Sequence, residues 1–333
     1  MLTGQAQSLL DYGEGKILKK TFYTTDGKEL SIEVPEPGGY PSFYVFSIWK
    51  AGSTMLDGII KDICFYLHIP IIDVSPQAFM QGIDDNRLTP DICQVFVKTG
   101  YCYTGFRCLP SYLRDFDFQN GKKILLVRDP RDCVVSHYFS TKYSHEITRG
   151  DLGKNQMLLR QLLFETGIDT HAGQISNRFK NAFDSYNLIQ DDNLRIFRYE
   201  DIVFSKKQLL RDIVDFLELD LSEGLISEIA GKYDIFPESE DVNSHVRKVT
   251  PGDYKEKLKL DTIRKLNECF KDILLKYQYH IEDSLDMHWL SIAKSQTFLN
   301  SLKQYLDKHQ DFLDMQRLSI EKSQKLVKSL MQY

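Results

Sequence analysis

Cysteine is scarce in this 333-residue chain and is nowhere grouped. The six present, Cys64, Cys93, Cys102, Cys108, Cys133 and Cys269, stand in apolar or strand-like contexts without the spacing of metal ligands, and they fit a reducing cytoplasm. No stretch approaches the roughly 20 apolar residues of a membrane-spanning helix. The N-terminus lacks a basic segment followed by an apolar one, so secretion is not expected. A net charge of −5 gives no global attraction to nucleic acid or acidic membranes, so any basic site must be local and the expected partner is a small molecule. Also absent is the order G-x-x-x-x-G-K-[ST] of a nucleotide-triphosphatase loop.

What is present begins with 42% hydrophobic and 12% aromatic content, enough for one large buried core and against disorder. Asp26-Gly27, a favoured tight-turn pair, predicts a hairpin from strands at 16–24 and 29–34, and Pro35, Pro37, Gly38 and Gly39 then break the pattern. From Tyr40 apolar strands at 43–48, 95–98, 123–127 and 194–197 alternate with helical stretches at 55–68, 133–141 and 207–217. Such alternation predicts an α/β fold: a central, mostly parallel sheet flanked by helices, with ligands at the carboxyl ends of its strands. The polar segment 144–175 lacks strong periodicity and is expected to be a lid or acceptor-binding insertion. We expect three sections: an N-terminal hairpin extension at 1–39, the main domain at 40–283, and a helical extension at 284–333. In the last, apolar residues recur every seventh position from Leu285 through Ile292 and Leu299 to Val327. That long helix either docks on its own domain or pairs with a second copy as a homo-oligomer.

Two segments carry the features of anion sites. Ser47-Ile48-Trp49-Lys50-Ala51-Gly52-Ser53-Thr54 follows an apolar strand and opens a helix. Helix N-terminal N–H groups, a glycine that admits close approach and a lysine charge together suit phosphate, and Ser53 and Thr54 add hydroxyls. Arg128 leaves the strand at 123–127, and Ser136 lies eight positions on, about two turns into a helix that Pro130 opens. The pair suits a second phosphate. Arg128-Asp129-Pro130-Arg131 is equally consistent with a strand-end turn whose arginine and aspartate pair with each other.

A third segment, the basic stretch Ser244-His245-Val246-Arg247-Lys248-Val249-Thr250-Pro251-Gly252-Asp253-Tyr254-Lys255, and the fragment Arg198-Tyr199-Glu200-Asp201 complete a pattern. In this order and at these separations, the four segments resemble the sulfotransferases that use 3′-phosphoadenosine 5′-phosphosulfate (PAPS), over roughly 40–283. The resemblance implies a P-loop-like sulfotransferase fold and transfer of a sulfuryl group from PAPS to a hydroxyl or amine of a small-molecule, lipid or sugar acceptor, without metal. It implies that Lys50, Ala51, Gly52, Ser53 and Thr54 hold the phosphosulfate, with Lys50 closest to the bridging oxygen, and that Met55 replaces the tryptophan that usually packs on the base. Arg128, Ser136, Arg247 and Lys248 would hold the 3′-phosphate, and Tyr199 would sit on the adenine side.

The family's K-T-H segment is matched to Lys98-Thr99-Gly100, so Lys98 is expected to hold the transferring group and Gly100 stands where a catalytic histidine would be. Asp73, after the apolar run 69–72, is the replacement base we expect, ahead of Tyr101, Tyr103 and His145. Because Ser75-Pro76 follows, Asp73 also suits a helix cap. The competing functional classes are a non-catalytic nucleotide-binding protein on the same fold and a P-loop phosphotransferase.

Overall fold

The computed structural model describes residues 17–118, 120–144, 150–244, 246–282, 286–287, 289–301 and 303–304. The chain divides into two units, 1–281 and 282–333.

The first unit opens with the expected hairpin, β1 (Leu18–Tyr23) and β2 (Glu29–Val34), antiparallel with Leu18 opposite Val34. Its turn is closed by Thr24, whose hydroxyl accepts from the Lys28 N–H at 2.8 Å, and by Gly27 at φ 80. Alternation in β2 buries Leu30, Ile32 and Val34 on one face. The backbone N–H groups of Ser31 and Glu33 donate to Gln81 and Gln77 at 3.1 and 2.8 Å, which pairs an otherwise bare strand edge.

A five-stranded sheet follows, entirely parallel, in the order β4-β5-β3-β6-β7. The strands are β3 (Phe43–Ser47), β4 (Ile71–Ile72), β5 (Cys102–Phe106), β6 (Lys122–Val127) and β7 (Leu194–Arg198). Both β3 and β5 are buried throughout, as a sheet covered on both faces requires. Helices α1 (Ser53–Tyr66), α2 (Val74–Met80) and α3 (Pro130–Phe139) each leave the carboxyl end of a strand. Ile59, Ile60 and Ile63 of α1 are fully buried, each contributing about 1.5–3 kcal/mol. At the start of β3 Tyr44 meets Phe118 edge-on at 4.9 Å and stacks on Tyr103 at 5.1 Å.

One expectation is corrected. Residues 95–98 are not a strand: Pro90 opens a 3₁₀ turn, Pro90–Val95, and the strand begins only at Cys102. The described residues of the segment 144–175 are largely helical, with α4 (Gly150–Glu165) and the start of α5 (Ile168–Ser185), where Ala172, Phe179 and Phe183 form a buried stripe. Further α-helices of this unit are α6 (Tyr199–Ile202), α7 (Lys206–Leu217), α8 (Glu223–Tyr233), α9 (Asp253–Lys257), α10 (Leu260–Cys269) and α11 (Lys271–Lys276). No helix among the described residues is long and apolar enough to cross a membrane.

In the second unit 286–287, 289–301 and 303–304 are helical. The seam residues Ile292 and Leu299 are 39% and 55% exposed. Leu285 and the seam positions beyond 304 lie outside the described residues.

Candidate active site

Parallel strands deliver their carboxyl ends to one edge, and three of the four recognised segments meet there. After β3 the chain turns through Lys50 and Gly52, both at positive φ (64 and 88), and Gly52 caps α1. A β-carbon at Gly52 would lie 2.8 Å from the Tyr199 ring, so both the conformation and the packing require glycine. No side chain caps α1 and no acid stands in its first turn, which leaves the positive end of the helix facing the loop. Ala51 is fully buried and anchors the loop below, while Ser53 and Met55 are half-buried and Thr54 is exposed. Burial, with repulsion from Arg107 and Arg128, lowers the Lys50 ammonium to about 8.

Arg128, at the end of β6, is 6% exposed. Its guanidinium lies 4.4 Å over the Tyr199 ring, donates to the Lys50 carbonyl at 3.4 Å and pairs with Asp132 at 3.4 Å. Its Nε is buried with no acceptor. An orphaned cationic donor is costly to bury, by about 1–3 kcal/mol or more, unless something supplies the missing acceptor. Ser136 is half-buried on α3, and its hydroxyl makes no hydrogen bond among the described residues.

Asp132 joins the second segment to the third, since its carboxylate accepts from the N–H groups of Gly252 at 2.7 Å and Tyr254 at 3.0 Å. Tyr199 completes the junction: its hydroxyl donates to the Val249 carbonyl at 3.0 Å while its ring lies against Gly52 and under Arg128. At 6% exposure its contacts are spent on the three loops, so the tyrosine serves as their common support. The turn reading of Arg128-Asp129-Pro130-Arg131 also holds in part: Asp129 accepts from Arg131 at 2.7 and 2.9 Å. Arg131, fully buried, also donates to Asn267 and to the His280 carbonyl. Two cations of the third segment, Arg247 and Lys248, are already neutralised. Arg247 pairs with Glu240 and Asp253, and Lys248 with Asp253 at 3.2 Å and Glu256 at 2.8 Å. A phosphate arriving here must displace carboxylates.

Lys98 is not at this edge. Its carbonyl accepts from the N–H of Ser42, at the beginning of β3, and Thr99 bridges Pro41. That places it about 16 Å below the phosphate loop, five residues at about 3.3 Å each. Its expected contact with the transferring group is therefore withdrawn. Gly100 has a structural reason of its own: φ is +116, and a β-carbon would approach Pro37 to 2.5 Å. The hydroxyls of Tyr101 and Tyr103 donate to the carbonyls of Pro35 and Val95, both at 2.7 Å. His145 lies outside the described residues.

Asp73 is at the productive edge, at the end of β4. It precedes α2 but makes no side-chain cap. It accepts from Gln77 at 3.0 Å and lies 3.7 Å from Lys61, and burial raises its carboxyl above the ordinary range against the pull of that lysine. Sequence reasoning missed Arg107, which leaves the end of β5 in the same row as Lys50 and Arg128. The signal available was a strand pattern followed by a lone cation, without a motif around it. Cys108 beside it is not a base at neutral pH, because burial pushes its thiol up to about 12.

The family profile described as Sulfotransferase domain matches residues 108–283. That is more than half of the chain, which therefore belongs to this family. The match takes in Arg128, Ser136, Tyr199, Arg247 and Lys248 and begins after the first loop. No relative is found among curated protein sequences. Among solved structures, the chain is similar to a mouse sulfotransferase, SULT7A1, complexed with PAP, at 16% identity, covering 78% of this chain and 90% of that one with a TM-score of 0.43. It is similar to a retinol dehydratase in complex with retinol and PAP at 15% identity, covering 77% and 90%, TM-score 0.40. A sulfotransferase from Alicyclobacillus acidocaldarius matches at 10% identity, covering 75% and 99%, TM-score 0.35.

Proposed function

We propose that this sulfotransferase uses PAPS as donor and transfers its sulfuryl group to a hydroxyl or amine of a small-molecule, lipid or sugar acceptor. The observation that carries the reading is the convergence of the Arg128 guanidinium and the Lys50 loop on the N-terminal end of α1, which no side chain caps. An anionic group with oxygens to spare fits that end. A second cation, Lys50, stands in the adjoining loop, so a ligand with two separated phosphates matches the arrangement.

In this reading Lys50, Ala51, Gly52, Ser53 and Thr54 hold the 5′-phosphosulfate by backbone N–H groups, hydroxyls and the ammonium, and Met55 lies on the side of the base. Arg128 and Ser136 hold the 3′-phosphate, joined by Arg247 and Lys248 once Glu240 and Glu256 are displaced. The bond between sulfur and the bridging oxygen breaks, leaving its electron pair on the 5′-phosphate, and a new bond forms from the acceptor lone pair to sulfur. Lys50 offsets the charge that appears on the leaving oxygen. Asp73 takes the acceptor proton; its raised pKa strengthens it as a base near neutral pH. The six free cysteines are in keeping with a reducing compartment, and we place the enzyme in the cytoplasm.

The test is conversion of PAPS to PAP by the purified chain against a panel of phenols, sterols, amines and sugars, followed by chromatography. Sulfated product with stoichiometric PAP supports the reading. PAPS left intact across the panel while magnesium-ATP is consumed would replace it with phosphotransfer.

A further inference from the structure

Arg107 is the first residue beyond β5. Phe106 lies opposite Phe46, and the Ser47 hydroxyl donates to the Phe106 carbonyl at 3.0 Å, so Arg107 emerges beside the start of the Lys50 loop. Its side chain is half-buried, yet it makes no hydrogen bond or ion pair among the described residues. The carboxylate whose charge acts on it, Asp57, is already engaged by the Thr104 hydroxyl at 2.9 Å and the Lys61 ammonium at 3.0 Å. None of the Arg107 nitrogens is among the buried polar atoms without a partner, so the guanidinium opens to solvent, where a ligand can reach it.

Two cations held near one another without a shared carboxylate need an explanation. Burial disfavours the charged form of both, and Arg107 is the foremost neighbouring charge acting to lower Lys50. An anion that both can bind relieves this repulsion. Resting on the PAPS reading above, we propose that Arg107 donates hydrogen bonds to the sulfonate oxygens of the transferring group, the task that Lys98 cannot perform from the opposite edge of the sheet. Lys50 then faces the bridging oxygen, and Arg107 faces the oxygens that remain on sulfur as the old S–O bond breaks and the new one forms. The acceptor proton leaves by Asp73, and the electron pair of the broken bond remains on the 5′-phosphate.

PAP and PAPS differ only in the sulfonate, so their affinities isolate this contact without a known acceptor. Calorimetry on the wild type, Arg107→Met and Arg107→Lys is expected to give PAP affinities within about threefold of one another. Affinity for PAPS is expected to fall about 10- to 100-fold in Arg107→Met, the worth of a charged hydrogen bond or two, with partial recovery in Arg107→Lys. Arg107→Met removes a repulsion, so it is expected to stay folded, with an unchanged or higher melting temperature. Equal losses of PAP and PAPS affinity would overturn the proposal by placing Arg107 on the nucleotide, and unchanged PAPS affinity would overturn it outright. Failure of the wild type to bind PAP at all would instead remove the donor reading beneath it.

Discussion

Replacing Lys50 by methionine separates what the fold wants from what the chemistry wants. The native site holds the ammonium at about 8 against an ordinary 10.5, with burial the largest cause. At about 1.36 kcal/mol per pH unit, that gap amounts to about 3 kcal/mol of native-state destabilisation at pH 7. The lysine is half-buried and water relaxes part of the cost, so about 1–3 kcal/mol is the working range. The sign follows from proton binding. Between 8 and 10.5 the unfolded lysine holds its proton while the native one has lost it, so wild-type stability rises with pH across that window. Below 8 the full penalty is present. Lys50→Met, which has no charge to bury, is therefore expected to melt higher than wild type at pH 7, by about 2–6 °C at about 2 °C per kcal/mol. By pH 9.5 the difference should shrink by more than half, and PAPS conversion should be lost at both. Thermal unfolding of both proteins at the two pH values reads this out. A methionine variant that melts at or below wild type at pH 7, or an advantage that does not decline with pH, would refute the electrostatic reasoning.

Gly52→Ala places a β-carbon 2.8 Å from the Tyr199 ring at φ 88 and should cost about 2–5 kcal/mol, seen as a lowered melting temperature with weakened PAP binding. Gly100→Ala meets Pro37 at 2.5 Å and should also destabilise, yet leave PAP affinity in the folded protein unchanged, because that glycine is at the opposite edge of the sheet. Asp73→Asn should lower turnover by about 10²–10⁴-fold without weakening PAPS binding. The rise of wild-type activity with pH through the elevated Asp73 pKa should be absent from the variant. Unchanged turnover would remove Asp73 from the chemistry.

Much of this site was legible because its segments are local. A strand, a turn with a cation and a helix start are adjacent in the chain, so Lys50, Gly52, Arg128 and Ser136 could be read together. The sheet order was not local, and there the reading failed. Strand β5 contains Gly105 at φ 86 and follows Lys98-Thr99-Gly100, so it reads as a turn region, and the letters K-T drew attention to residues at the wrong end of the strand. Once β5 slipped, Arg107 lost its place at the carboxyl edge. Glu240 was equally hidden: nothing in the spacing announces that it neutralises Arg247. Asp132 was visible only as part of a turn, although its two backbone hydrogen bonds bind the third segment to the second.

The central claim is a site for two separated phosphates, and calorimetric binding of 3′,5′-adenosine bisphosphate, set beside 5′-AMP and ATP, tests it most directly. The account predicts tight binding of the bisphosphate and marked weakening when the 3′-phosphate is missing. Equal binding of all three, or a preference for ATP with magnesium, would contradict it.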